Sequence, residues 1–250
     1  MSGHSKWATI KRKKGALDAK RGKIFTRLIR ELTISARMGG GDADGNPRLR
    51  AAVDEAKANN MPKDNIERAI KKGSGGLEGA AYEELTYEGY GPGGVALMVE
   101  VMTDNTNRTT PEIRKIFEKG GGNFGSPGSV RFQFDKKGWF QIEKSVVAED
   151  KLMEIALEAG ADDLDSSDPE TYEVVTQPDA YQAVRDALAT AKIPTVEAKL
   201  AMMPNIFVKV DDEAKAKQIL RIVEMLDDHD DVQNVWTNFD IPDEVLSRLE

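Results

Sequence analysis

Partway along the chain the hydrophobic period changes, and a glycine-rich segment marks where. Before Gly73-Ser74-Gly75-Gly76-Leu77-Glu78-Gly79 the apolar residues recur at helical spacing, and after it short alternating runs are interleaved with helical ones. A segment so rich in glycine reads as a flexible linker, so a domain boundary is predicted near residue 78. The 250 residues leave room for two or three compact domains.

Ahead of the linker, Ile24, Phe25, Leu28, Ile29, Leu32 and Ala36 form one stripe of a helix that begins near Asp18 and stops at Gly39-Gly40-Gly41. Asn46 is placed to cap a second helix with Pro47 at its first position, and Leu49, Val53 and Ala56 line its inner face. Pro62 opens a third, with Ile66, Ala69 and Ile70 inward and Gly73 as its stop. Three amphipathic helices close a small bundle.

Beyond the linker, strands are predicted at Glu84 to Tyr90, Val95 to Met102, Val130 to Phe134, Trp139 to Ile142, Tyr172 to Thr176, Val196 to Met202, Ile206 to Val210 and Val232 to Thr237. A turn is predicted at Lys136-Lys137-Gly138. Helices are predicted at Pro111 to Lys119, Ala148 to Ala159, Asp179 to Ala191 and Asp212 to Leu226. The expected fold class is therefore α+β and multidomain: a three-helix domain followed by two small α/β sandwiches, one inserted in the other. The expected limits are residues 1–78 for the basic helical domain, 79–135 plus 205–250 for an α/β domain, and 136–204 for the insert.

Charge is segregated along the chain. Residues 1–72 hold 18 Lys and Arg against 8 Asp and Glu, a net +10, whereas residues 73–250 hold 17 against 35, a net −18. Within residues 1–37 the count is 11 basic against 2 acidic. Such an excess repels itself, and in an otherwise acidic chain it points to a polyanion meeting this end; the alternative is a solvated basic face on an ordinary helix. Lys6, Trp7, Lys11, Arg12, Lys13, Lys14, Lys20, Arg21, Lys23, Arg27 and Arg30 are the candidate nucleic-acid-binding residues. Their cations neutralise phosphates and release counterions. Arg21, Arg27 and Arg30 lie largely off the apolar stripe, free to face solvent or a ligand. Residues 1–14 carry no apolar periodicity and read as a flexible basic arm, in which Trp7 has two roles open to it, stacking on an unpaired base or anchoring the arm to its own domain.

Other motifs argue against chemistry. Gly89-Tyr90-Gly91-Pro92-Gly93-Gly94 has the dinucleotide-binding spacing, but the β-type run Val95-Ala96-Leu97-Met98-Val99 follows it where a helix N-terminus is needed. A turn between two strands is expected instead. The two histidines, His4 and His229, have no partners at metal-ligand spacing, and the absence of cysteine excludes disulfides, thiolate metal sites and thiol nucleophiles. Asp227-Asp228-His229-Asp230-Asp231 matches no calcium loop and is expected to be solvated charge at a helix end. Thr103 to Thr110 serves either to turn and cap the chain or, through Arg108, to reach an anion. No catalytic set, cofactor, metal or small-molecule substrate is expected. No apolar run reaches 18 residues, so no membrane partner is expected either, and with no signal peptide legible at the N-terminus the expected compartment is the cytoplasm.

Gly3-His4-Ser5-Lys6-Trp7, Asp18-Ala19-Lys20-Arg21-Gly22-Lys23-Ile24-Phe25, Asn46-Pro47-Arg48-Leu49-Arg50, Tyr87 to Gly94 and Asp104 to Thr109 together closely resemble the YebC/PmpR family. The resemblance runs across most of the chain. It implies a three-domain fold with the third domain inserted in the second, and a cytoplasmic DNA-binding regulator of transcription. The family also includes a mitochondrial translational activator of cytochrome oxidase, which implies the alternative of a ribosome-associated factor on ribosomal RNA. The second and third helices have the spacing of a helix-turn-helix, but the latter carries few side chains suited to reading bases.

Overall fold

The computed structural model describes residues 17–75 and 82–249, with the side chains of residues 17–21 and of residue 243 outside that description. Its elements run α1 (Leu17–Gly39), α2 (Pro47–Ala58), α3 (Lys63–Gly73), β1 (Glu83–Tyr90), β2 (Ala96–Thr103), α4 (Thr106–Lys119), β3 (Asn123–Phe124) and β4 (Phe134–Glu143). They continue with α5 (Glu149–Glu158), β5 (Ala161–Asp165), β6 (Thr171–Thr176), α6 (Tyr181–Thr190), β7 (Glu197–Pro204) and β8 (Val208–Lys209). The last are α7 (Glu213–Asp227), β9 (Val232–Thr237), β10 (Phe239–Asp240) and α8 (Asp243–Leu249).

The chain divides into two compact units. Among the described residues, one comprises 17–129 together with Ala214–Val235, and the other comprises Val130–Glu213 together with Trp236 onward.

In the first unit α1, α2 and α3 form the expected bundle. Leu28, Leu32 and Ala36 of α1 meet Leu49, Ala52 and Ala56 of α2 and Ile66 and Ala69 of α3 in one buried cluster. Each fully buried leucine or isoleucine contributes roughly 1.5–3 kcal/mol. Asn46 caps α2 as expected: its Oδ1 accepts the Leu49 N–H at 3.1 Å, while its Nδ2 donates to the Ser35 carbonyl at 2.7 Å and the Gly40 carbonyl at 2.9 Å. One side chain thus closes the end of α1 and the start of α2.

The same unit carries a four-stranded sheet in the order β3-β1-β2-β9. β1 and β2 pair antiparallel from Glu83↔Thr103 to Tyr90↔Ala96. The turn between them bonds Gly91 N–H to the Val95 carbonyl at 2.8 Å, with Gly93 and Gly94 at φ of 76° and 80°. This is the hairpin reading of the glycine motif, and the left-handed φ values are what call for glycine there.

The second unit carries a sheet in the order β5-β6-β4-β7 and the parallel pair β10-β8. Its four-stranded sheet comes wholly from chain lying between β3 and β9, which is the insertion topology of an α+β protein. Phe140, Ile142 and Val174 of the sheet bury Leu152 and Ala156 of α5 and Val184 and Leu188 of α6.

Two local expectations fail here. Lys136-Lys137-Gly138 is not a turn: it lies inside the continuous strand β4, where Lys136 pairs with Met202, Lys137 with Ala201 and Gly138 with Leu200. Gly138 is required by close packing, because a Cβ there would lie 2.6 Å from Thr176 Oγ1 and 2.9 Å from the Tyr181 ring. The strand expected at Val130 to Phe134 is instead a short 3₁₀ turn at Arg131–Gln133 leading into β4. α4 also begins five residues before Pro111, because Asn105 Oδ1 accepts the Arg108 N–H at 3.1 Å and starts the helix.

Replacing Asn46 with Ala removes the cap and strands two carbonyls in the bundle, so the loss should be about 2–3 kcal/mol. Urea unfolding should show a lower midpoint with an unchanged slope. A loss under roughly 0.5 kcal/mol would mean that water replaces all three bonds.

Candidate nucleic-acid interface

Of the eleven candidate contact residues, Lys6, Trp7, Lys11, Arg12, Lys13 and Lys14 lie outside the described residues, as do the side chains of Lys20 and Arg21. Lys23, Arg27 and Arg30 lie on α1 at spacings of four and three, which sets them on one face. That face is occupied.

Lys23 Nζ donates to the Asp228 carboxylate at 2.6 Å and to its carbonyl at 3.0 Å. Arg27 Nη2 reaches the Asp227 carboxylate at 3.2 Å and also donates to the Asp227 carbonyl. Arg30 Nη1 donates to the Asp230 carbonyl, and its Nη2 lies 2.9 Å from Asp231 Oδ1. Arg27 and Arg30 are therefore not free toward solvent: their side chains are only 21% and 11% exposed.

The acidic run at the end of α7 is accordingly only in part a solvated helix end: Asp228 and Asp230 are exposed, whereas Asp227 is half-buried and Asp231 is buried. Carboxylates at a helix C-terminus oppose the helix dipole, and the last carbonyls of α7 lack intrahelical donors. Three cations of α1 offset both effects at once.

Asp231 is the buried root of this cluster, 1% exposed. Its Oδ2 accepts from Thr109 Oγ1 at 2.6 Å, Arg108 Nη2 at 2.7 Å and Thr103 Oγ1 at 3.2 Å. Its carbonyl accepts the Met102 N–H at 2.9 Å, and its own N–H donates to His229 Nδ1 at 3.1 Å. With Nδ1 accepting, the His229 proton sits on Nε2, which donates to Glu112 at 3.0 Å. Burial pushes the Asp231 carboxyl up, but the Thr109 hydroxyl, the Arg108 guanidinium and the nearby charges of Arg30 and Arg108 together hold it below the ordinary carboxylate value. Both roles weighed for Thr103 to Thr110 bear on this region: Asn105 caps, while Arg108 reaches an anion that belongs to the chain itself.

Further contacts fix the bundle to β1. Arg48 grips Glu31 through two bonds of 2.7 and 2.9 Å and also bonds Glu84, and Arg37 donates to the Tyr82 carbonyl at 3.3 Å. Lys72 lies 5.0 Å from the centre of the Tyr82 ring and Arg30 5.7 Å from it. On α3, by contrast, Lys63, Arg68 and Lys71 are exposed. They are not among the eleven candidates, yet the spacing that turns Ile66, Ala69 and Ile70 inward leaves them outward.

An open cleft of about 770 Å³ is lined by Arg30, Arg108, Lys115, Lys119, Glu112 and His229, among others. Cations and carboxylates are mixed along it. Among the described residues no group of His, Cys, Asp and Glu is arranged to hold a metal ion, and no helix is long and apolar enough to cross a membrane.

Comparison with known proteins covers the whole chain. Residues 5–76 match the family model described as TACO1/YebC protein N-terminal domain, and residues 82–239 match the TACO1/YebC second and third domain. A probable transcriptional regulatory protein of Syntrophobacter fumaroxidans is 57% identical over 249 residues, covering 100% of each chain. One of Geobacter sulfurreducens is 58% identical over 249 residues with the same coverage, and one of Acidobacterium capsulatum is 60% identical over 241 residues, covering 96% of this chain and 97% of that one. The crystal structure of a conserved hypothetical protein from Aquifex aeolicus superposes with a TM-score of 0.84 at 44% identity, over 91% of this chain and 93% of the other.

Replacing Asp231 with Asn should destabilise the protein by roughly 2–4 kcal/mol near neutral pH, because it weakens every bond at one buried carboxylate. A depressed folded pKa stabilises above the ordinary carboxylate value and stops doing so as pH falls through the folded value. The gap between the natural protein and the variant should therefore stay constant from neutral pH down to about pH 5 and narrow only as pH falls through and below the ordinary carboxylate value in urea unfolding. A gap independent of pH would show that charge at Asp231 is not what the network uses.

Proposed function

The chain belongs to the TACO1/YebC family, and from that premise we propose that it is a nucleic-acid-binding regulator of gene expression whose basic N-terminal helical region contacts DNA. The observation that carries the reading is charge segregation, +10 over residues 1–72 against −18 over the rest. Phosphate attraction supplies most sequence-independent affinity for nucleic acid. The names of the relatives, probable transcriptional regulatory proteins, support the regulatory role. In this reading the domains are residues 1–78, 79–135 plus 205–250, and 136–204. The protein works in the cytoplasm, where a chain without cysteine has nothing to lose to reducing conditions. It acts without catalysis, cofactor or small-molecule substrate.

Since Lys23, Arg27 and Arg30 have partners within the chain, first contact falls to the cations of the arm, Lys6 to Lys14, to Lys20 and Arg21, and to the exposed cations of α3. Trp7 beside Lys11-Arg12-Lys13-Lys14 favours a second reading, a translation factor on ribosomal RNA, because an aromatic side chain stacks on unpaired bases.

Replacing Lys11, Arg12, Lys13 and Lys14 with Gln should weaken binding and flatten the log–log salt slope by up to about four. An unchanged slope removes the arm from the interface. Replacing Trp7 with Ala then separates the readings. A loss confined to looped or single-stranded RNA moves the ribosomal reading ahead, whereas unchanged affinities with a lower melting temperature make Trp7 an anchor of the fold.

A further inference from the structure

We propose that the acidic end of α7 is an autoinhibitory latch, an internal stand-in for phosphate that holds the cationic face of α1 until a polyanion displaces it. The inference rests on the nucleic-acid reading above and adds its regulation.

The contact has the chemistry of the interface it blocks. Three cations one helical face apart meet the run Asp227 to Asp231, each donating to a carboxylate, a carbonyl or both. Two of these cations are arginines, and the oxygens they engage are the kind a phosphate strand would offer. A nucleic acid approaching α1 meets the same carboxylates as like charge, so binding to this face requires the two to part.

The latch is graded along its length. At Lys23–Asp228 the side chains are 37% and 66% exposed, at Arg27–Asp227 21% and 17%, and at Arg30–Asp231 11% and 2%. Exposed ion pairs hold weakly and yield to salt and competing ions, whereas a buried one resists. Opening therefore begins at Lys23 and proceeds toward Arg30, which stays seated against Asp231 as the pivot. Asp231 belongs to the fold, through Thr103, Thr109 and Arg108, so it is left in place, and Asp227, Asp228 and Asp230 are the acids to neutralise.

The test uses the full chain with Asp227→Asn, Asp228→Asn and Asp230→Asn combined. Its control removes equal charge from exposed positions of α5, as Asp150→Asn, Glu154→Gln and Glu158→Gln. Two readouts are taken: affinity for a fluorescein-labelled mixed-sequence DNA duplex, and amide hydrogen exchange over residues 22–31 without nucleic acid. The latch variant should bind about tenfold tighter, the control within about twofold of the natural protein. Exchange in the first half of α1 should quicken only in the latch variant. Equal tightening in both variants would reduce the effect to overall charge and overturn the proposal. So would unchanged affinity in a folded latch variant, or exchange that does not quicken. If no form of the chain binds the duplex, the DNA reading fails, and the exchange result separately decides whether the clasp exists.

Discussion

The most deeply buried tie between the helical bundle and the first sheet is one carboxylate, that of Asp231. Asp231 stands just before β9 and receives Thr103 from the end of β2, Arg108 and Thr109 from the first turn of α4, and Arg30 from α1. A buried carboxylate is costly unless its oxygens are fully engaged. Here the cost is offset by two hydroxyls and two guanidinium groups, so the three segments that supply them are held to one geometry. His229 and Met102 fix the backbone of the same residue from either side. Loss of that carboxylate would release a helix, a strand end and a helix start together.

The surrounding charges follow from a conflict at the end of α7. A helix C-terminus attracts cations, yet this one ends in Asp227 and Asp228, with Asp230 and Asp231 just beyond. The stabilising cations come from α1, about 200 residues away in sequence. Sequence balance along the whole chain, basic at one end and acidic through the remainder, is thus reproduced in miniature at this contact.

Much of the architecture was legible because it is local. The stripes of α1, α2 and α3, the Asn46 cap, and the hairpin at Gly89 to Gly94 all depend on neighbours a few residues apart. β4 was misread because Lys136, Lys137 and Gly138 look like a turn, and only pairing with β7 and the approach of Tyr181 explain them. β5 went unseen because its Asp-rich sequence has poor strand propensity, overridden by its ladder to β6. α8 was likewise not anticipated. At the site, sequence located the cations of α1 but not their partners, since ion pairs spanning some 200 residues leave no periodic trace. The run Asp227 to Asp231 looked like solvated charge for the same reason.

The central claim is that nucleic acid is met by the N-terminal basic region and not by the acidic remainder of the chain. Ultraviolet crosslinking of the full-length protein to DNA duplex and to single-stranded RNA, followed by mass spectrometry of the linked peptides, tests this directly. Crosslinks should concentrate in peptides from residues 1–37, with secondary sites on α3 at Arg68 and Lys71. Crosslinks confined to residues 82–249, with none in the first 75, would contradict it.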